Sequence, residues 1–138
     1  MKRWAIAGLL FAALPLASLA QIRDDAAADY PSKPVRIVVG FTPGGGPDIT
    51  ARHIAQKLTE MWKQQVIVEN RPGAGGTVAA GMVARANPDG YTLLSVTSAH
   101  AIAPAIYPNL PYDTFKDLSG ITQTGSSKYV LVVAPSLG

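Results

Sequence analysis

The sequence predicts an α/β fold: a parallel sheet with helices flanking its faces. Three observations carry this. Short β-branched runs alternate with stretches of helical period, glycine-rich bends link the strands to the helices, and 48% of the residues are hydrophobic against 15% charged. One packed domain of modest size follows, since 118 of the 138 residues remain once a 20-residue leader is set aside.

The leader is legible from its chemistry. Met1-Lys2-Arg3 is positive, Trp4 to Leu14 is an apolar run of 11 residues, and Ala17-Ser18-Leu19-Ala20 ends in small residues, the pattern of a secretory signal. A membrane anchor needs roughly 20 apolar residues, and Pro15 interrupts this run. Residues 1–20 are therefore assigned as a cleaved signal peptide and 21–29 as a mobile arm, with Ala26-Ala27-Ala28 as a second small-residue site. The chain has no cysteine, which excludes disulfides, thiolate zinc sites and a lipid-modified cysteine. A soluble periplasmic product is expected. The formal charge is +3, but Lys2 and Arg3 lie in the leader, and without them it is +1. That is too little for a phosphate-neutralising stripe, so no nucleic-acid partner is expected despite a pI near 9.3.

Past the leader, Pro31 and Pro34 set the start of a first strand, Val35-Arg36-Ile37-Val38-Val39. From Ile49 the period changes: Ile54, Ala55, Leu58, Met61 and Trp62 share one helical face, and Arg52, Gln56, Lys57 and Glu60 lie elsewhere. Val66-Ile67-Val68 is the second strand. Val78, Ala79, Met82, Val83 and Ala86 mark a second helix, and the turn formers Asn87-Pro88-Asp89-Gly90 lead into a third strand, Tyr91 to Val96. The order β-α-β-α-β implies parallel pairing through crossover helices. Pro104, Pro108 and Pro111 break the stretch from Ala99 to Asp113 into a winding connection with room for one short helix. Ile121 to Thr124 and Tyr129 to Val133 each have strand composition.

In an open parallel sheet, ligands bind beyond the carboxyl ends of the strands. Gly40-Phe41-Thr42-Pro43-Gly44-Gly45-Gly46-Pro47-Asp48 follows the first strand; its glycines open the backbone N–H groups to a ligand, and Asp48 or Thr50 can cap the helix that starts there. Asn70-Arg71-Pro72-Gly73-Ala74-Gly75-Gly76-Thr77 repeats the device after the second strand, and Thr97-Ser98-Ala99-His100 adds hydroxyls after the third. Two helix N-termini facing one cleft would attract an anion. Arg71 reads as a ligand clamp or as a structural ion pair. Pro47 and Asp48 stand where a nucleotide-hydrolase loop needs its lysine and hydroxyl residue, and Val78 replaces the third glycine of a dinucleotide fingerprint. His53 and His100 lack partners at metal-ligand spacing, and no G-x-S-x-G elbow surrounds a serine.

These loops resemble those of the Bug family, the TctC-type periplasmic solute receptors of tripartite tricarboxylate transporters. Tyr30-Pro31-Ser32-Lys33-Pro34, the Phe41 to Asp48 loop, Val68-Glu69-Asn70-Arg71-Pro72-Gly73-Ala74-Gly75-Gly76, Pro88-Asp89-Gly90-Tyr91-Thr92-Leu93-Leu94 and Leu110-Pro111-Tyr112-Asp113 match in order and spacing. The resemblance implies a type II periplasmic-binding-protein fold, with two α/β lobes closing on a small organic acid, often a carboxylate, which passes to a membrane permease; no cofactor is implied. It places the ligand-facing positions at Phe41, Thr42, Gly45, Gly46 and Asp48, at Ala74, Gly75, Gly76 and Thr77, and at Thr97 and Ser98. Thr42 and Pro47 depart from the family's usual residues. Members run to roughly twice this length, so the chain corresponds to part of lobe 1, spanning 30–134, with 135–138 starting the crossover to lobe 2. Two alternatives stand beside a receptor: an exported enzyme holding an anionic substrate, and a non-binding remnant.

Overall fold

The computed structural model describes residues 29–128 and 130–137. The signal peptide assigned to 1–20 and all but the last residue of the arm assigned to 21–29 lie outside the described residues. The chain from Lys33 onward forms one unit. Its elements are β1 (Val35–Val39), α1 (Gly46–Trp62), β2 (Val66–Asn70), a 3-10 turn (Ala74–Gly76), α2 (Thr77–Ala84), β3 (Thr92–Ser95), α3 (Ser98–Ile106) and a last 3-10 turn (Pro135–Leu137).

The three strands are parallel in the order β2-β1-β3. Val35 pairs with Val66 and Val39 with Asn70 on one side of β1, while Arg36 pairs with Thr92 and Val39 with Ser95 on the other. The central strand is the most apolar, as burial on both faces requires. Val35, Ile37 and Val39 meet Ala51 and Ala55 of α1 and Val66 of β2, with Ile54, Leu58, Trp62, Val68 and Leu93 packed around them. Burying one such valine contributes about 1.5–3 kcal/mol. α1 packs on β1 and β2, and α2 packs on β3 and β1. The sheet thus has a helix layer on each face.

Local chemistry explains the boundaries. α1 starts at Gly46, three residues before the first apolar position of its stripe, because Pro47 in the first turn gives up no hydrogen bond there. It ends where Lys63 turns left-handed at φ 56°, donating its N–H to the Thr59 carbonyl at 3.1 Å. The Thr59 hydroxyl donates to the Ala55 carbonyl at 2.8 Å and accepts the Val66 N–H at 3.0 Å, tying the end of α1 to the start of β2. Met61, expected on the apolar face, is 72% exposed.

α2 departs from the expected face at Val78, which is 53% exposed. The expected Ala79 is buried, together with Thr77, Ala80 and Gly81, and Met82, Val83 and Ala86 are half-buried. Small residues let the helix approach closely: a Cβ at Gly81 would sit 3.3 Å from the Pro111 ring. The short helix expected after Ala99 is α3, which starts at Ser98 and runs through Pro104. The candidate strands at Ile121–Thr124 and Tyr129–Val133 are not strands among the described residues; Tyr129 itself lies outside them. Val130 to Val133 are 62–92% exposed, and composition alone makes no ladder without a neighbouring strand to pair with.

Candidate functional site

The order β2-β1-β3 reverses the direction of the crossovers between β1 and β3. In an open parallel sheet a crevice opens at such a switch point, at the carboxyl end of the strands. Gly40 and Phe41 after β1, Gly75, Gly76 and Thr77 after β2, and Ser95, Val96 and Thr97 at the end of β3 line it, together with His100 and Tyr112. The enclosed cavity is about 10 Å³, space for a single water or polar ligand atom. Anything larger must lie across the rim.

A close backbone contact brings the loops together. A Cβ at Gly40 would lie 2.7 Å from the Gly76 Cα, so only glycine lets the end of β1 and the start of α2 touch. The chain reaches Gly76 through a left-handed run, with φ of 147° at Gly73, 44° at Ala74, 66° at Gly75 and 95° at Gly76. Three of the four are glycine for that reason.

The first loop is organised by Asp48, which is 2% exposed. Its carboxylate accepts from Gly44 N–H at 2.8 Å, Arg52 Nε at 3.0 Å and Asn70 Nδ2 at 2.8 Å. The hydrogen bond from Arg52 holds the carboxyl down, helped by those from Gly44 and Asn70, at about 2. Asn70 also donates to the Phe41 carbonyl at 3.1 Å and accepts from Arg52 Nη2 at 3.0 Å, linking the first loop to the end of β2. The helix cap offered by Asp48 or Thr50 is not made: Gly45 is the N-cap, without a side-chain bond, and Thr50 is exposed. Arg71 is ion-paired with Glu69, the structural alternative of its two readings.

The loop amides are only partly bare. Gly44 donates to Asp48, Gly45 to the Thr42 carbonyl at 3.3 Å, Gly76 to the Gly73 carbonyl at 2.8 Å and Thr77 to the Ala74 carbonyl. The first bond of α1 is Ile49 N–H to the Gly45 carbonyl and Pro47 has no N–H, so the N–H groups of Gly46 and Asp48 have no partner within that helix, and of the two only Gly46 is exposed. Among the described residues, the N–H groups of Ala74 and Gly75 also find no backbone acceptor. Unbonded loop amides of this kind, and not the whole of both loops, are the donors the fold leaves for a ligand.

Of the residues singled out in the sequence, Phe41, Gly75, Gly76, Thr77 and Thr97 line the cavity. Thr42, Gly45, Gly46, Asp48, Ala74 and Ser98 do not. Thr42, Gly46, Ala74 and Ser98 are exposed beside it, Gly45 is half-buried, and Asp48 is turned to its protein donors. Thr97 caps α3, its hydroxyl accepting the Ala99 N–H at 3.3 Å. His100 and Tyr112 were missed as wall residues; their rings stack at 6.0 Å with 4° between planes. The position of His100 just after β3 was the available signal, whereas nothing local to Tyr112 points to the crevice. Burial lowers the pKa of His100 and raises that of Tyr112.

A parallel α/β unit whose strand-end loops enclose a small crevice is the architecture of a periplasmic-binding-protein lobe. Two solved structures match it: MatC from Rhodopseudomonas palustris with bound malate, 40% identical with TM-score 0.58 over 64% of this chain and 30% of that one, and an R. palustris protein with adipate, 38% identical with TM-score 0.55 over 62% and 29%. The profile of the tripartite tricarboxylate transporter family receptor matches residues 50–137, and the chain belongs to that family of solute-binding receptors. Protein BugT of Bordetella pertussis is 38% identical over 110 residues, which is 78% of this chain and 34% of the relative. The chain thus spans about a third of the length of the curated relatives it matches. No helix among the described residues is long and apolar enough to cross a membrane.

Proposed function

We propose that this chain supplies the first-lobe ligand loops of a periplasmic receptor that captures a small organic carboxylate for a tripartite tricarboxylate-type transporter and hands it to the membrane permease unchanged. One observation carries the reading: three strand-end loops converge on one crevice whose rim holds free N–H groups and whose lining includes no acidic side chain. Oriented donors with no competing carboxylate favour an anion, each charge-assisted hydrogen bond contributing about 1.5–3 kcal/mol. The ligands of the two R. palustris proteins, malate and adipate, support the same chemical class.

In this reading unbonded loop amides, among them those of Gly46, Ala74 and Gly75, grip one carboxylate, with Phe41, Thr42, Gly45, Gly76 and Thr77 shaping the rim and the Thr97 and Ser98 hydroxyls meeting the remaining polar atoms. Asp48 contributes the loop shape. Residues 1–20 act as the cleaved export signal, residues 21–29 follow as a free arm, and residues 30–134 form the lobe, leading at 135–138 toward the second lobe of a longer receptor. The test is calorimetry on the full chain, exported and recovered from the periplasm, with malate, adipate, citrate and a neutral diol. Heat from an acid and none from the diol is expected, with the acid recovered intact. A chain that ignores every acid, or that converts one, overturns the proposal.

A further inference from the structure

Among the residues lining the crevice, two carry chemistry that no amide supplies. His100 stands in the first turn of α3, its N–H donating to the Thr97 carbonyl at 3.0 Å, and its ring lies parallel to that of Tyr112. Tyr112 is 8% exposed and its hydroxyl makes no hydrogen bond of good geometry; its one polar neighbour is the Thr114 hydroxyl, which lies close enough to act on the phenol but is itself without a properly aligned partner. A buried phenol without a partner costs about 1–3 kcal/mol, a cost removed when a ligand atom accepts its proton. The other residues around the cavity are Gly40 and Phe41 from the β1 loop, Gly75, Gly76 and Thr77 from the β2 loop, and Ser95, Val96 and Thr97 from β3. None of these ionises. His100 is therefore the one side chain of the lining able to become a cation, and Tyr112 the one other titratable group facing it.

We propose that His100 and Tyr112 form a proton-coupled wall of the ligand site, where Tyr112 donates its hydroxyl to the bound carboxylate and His100 takes up a proton from solvent as the anion arrives. This rests on the carboxylate reading above. The empty site keeps the imidazole neutral, because burial and the positive end of α3 both disfavour its charged form. A carboxylate at the rim reverses the balance, and the proton goes to the unprotonated ring nitrogen of the neutral imidazole, leaving an imidazolium beside the anion. Tyr112 stays neutral throughout. Since the complex binds more protons than the empty site, affinity rises as pH falls through the imidazole range.

The experiment is titration of the full chain with malate and with adipate from about pH 6 to about pH 8, where both ligands stay ionised, in two buffers of different ionisation heat. Uptake of a fraction of a proton is expected, together with affinity about tenfold weaker at the upper pH. His100→Gln is expected to bind with no pH dependence. Tyr112→Phe keeps the ring stack and is expected to bind about tenfold more weakly at every pH. Wild-type binding with no proton exchange and a flat pH profile overturns this inference while leaving the carboxylate receptor standing, and so does a Tyr112→Phe variant of unchanged affinity. Absence of binding at any pH instead overturns the receptor reading, and this inference falls with it.

Discussion

Adding one methyl group at Gly40 is expected to force the two glycine loops apart. Its Cβ would lie 2.7 Å from the Gly76 Cα, 3.2 Å from the Gly76 carbonyl oxygen and 3.4 Å from the Ala79 Cβ. Carbon atoms in contact prefer about 3.5–4.0 Å, so the Gly76 backbone must retreat by about 1 Å. It has little freedom to do so: its φ is 95°, its N–H is bonded to the Gly73 carbonyl at 2.8 Å, and Ala79 one turn on is fully buried. Overpacking of this kind costs about 1–3 kcal/mol, which lowers a urea midpoint by about 1 M. Gly40 does not have a left-handed φ, so contact, not backbone conformation, is the cause. Gly46→Ala is the control, because a Cβ there meets nothing within 4 Å. Urea unfolding of Gly40→Ala, Gly46→Ala and the parent chain decides the matter. A Gly40→Ala midpoint equal to that of the control refutes the claim that the loops are held by this contact.

Asp48→Asn removes the charge that gathers Gly44, Arg52 and Asn70, and a lower thermal midpoint at neutral pH is expected. The Asp48 carboxyl sits at about 2 against an ordinary 3.8, so its stabilisation is complete above the ordinary value and fades as pH falls toward the lower one. The parent and Asp48→Asn should therefore converge on acidification; an equal gap at every pH speaks against the network. Thr59→Val strips the Val66 N–H of its acceptor and should cost about 1–3 kcal/mol in chemical unfolding, with no change expected if water replaces the hydroxyl. Thr97→Ala should cost about 0.5–2 kcal/mol and speed hydrogen exchange at Ala99, the amide it caps. Lys63→Gly relieves the left-handed residue that ends α1 and should raise stability by up to about 1 kcal/mol in the same assay.

The elements with strong period were legible from composition. β1 falls on the residues its β-branched run marks, and α1 and β2 lie within a few residues of theirs, because a buried strand and an amphipathic helix advertise themselves locally. α2 was legible only as a helix. Its buried face is set by small residues pressed against the sheet and Pro111, while the larger Val78 is exposed. The 121–124 and 130–133 segments show the opposite failure, strand composition that joins no ladder among the described residues.

At the site, the sequence by itself determined that glycine-rich bends follow β1 and β2, that a helix begins at each, and that hydroxyls follow β3, since these are consequences of residue type at fixed positions. Tertiary structure alone decided which amides remain free, that Asp48 turns inward to Arg52 and Asn70, and that His100 and Tyr112 share a wall. The reason is physical. A residue's conformational freedom is a property of the residue, whereas the partner that satisfies a hydrogen bond or covers a ring is chosen by whatever the folded chain brings within about 3–4 Å.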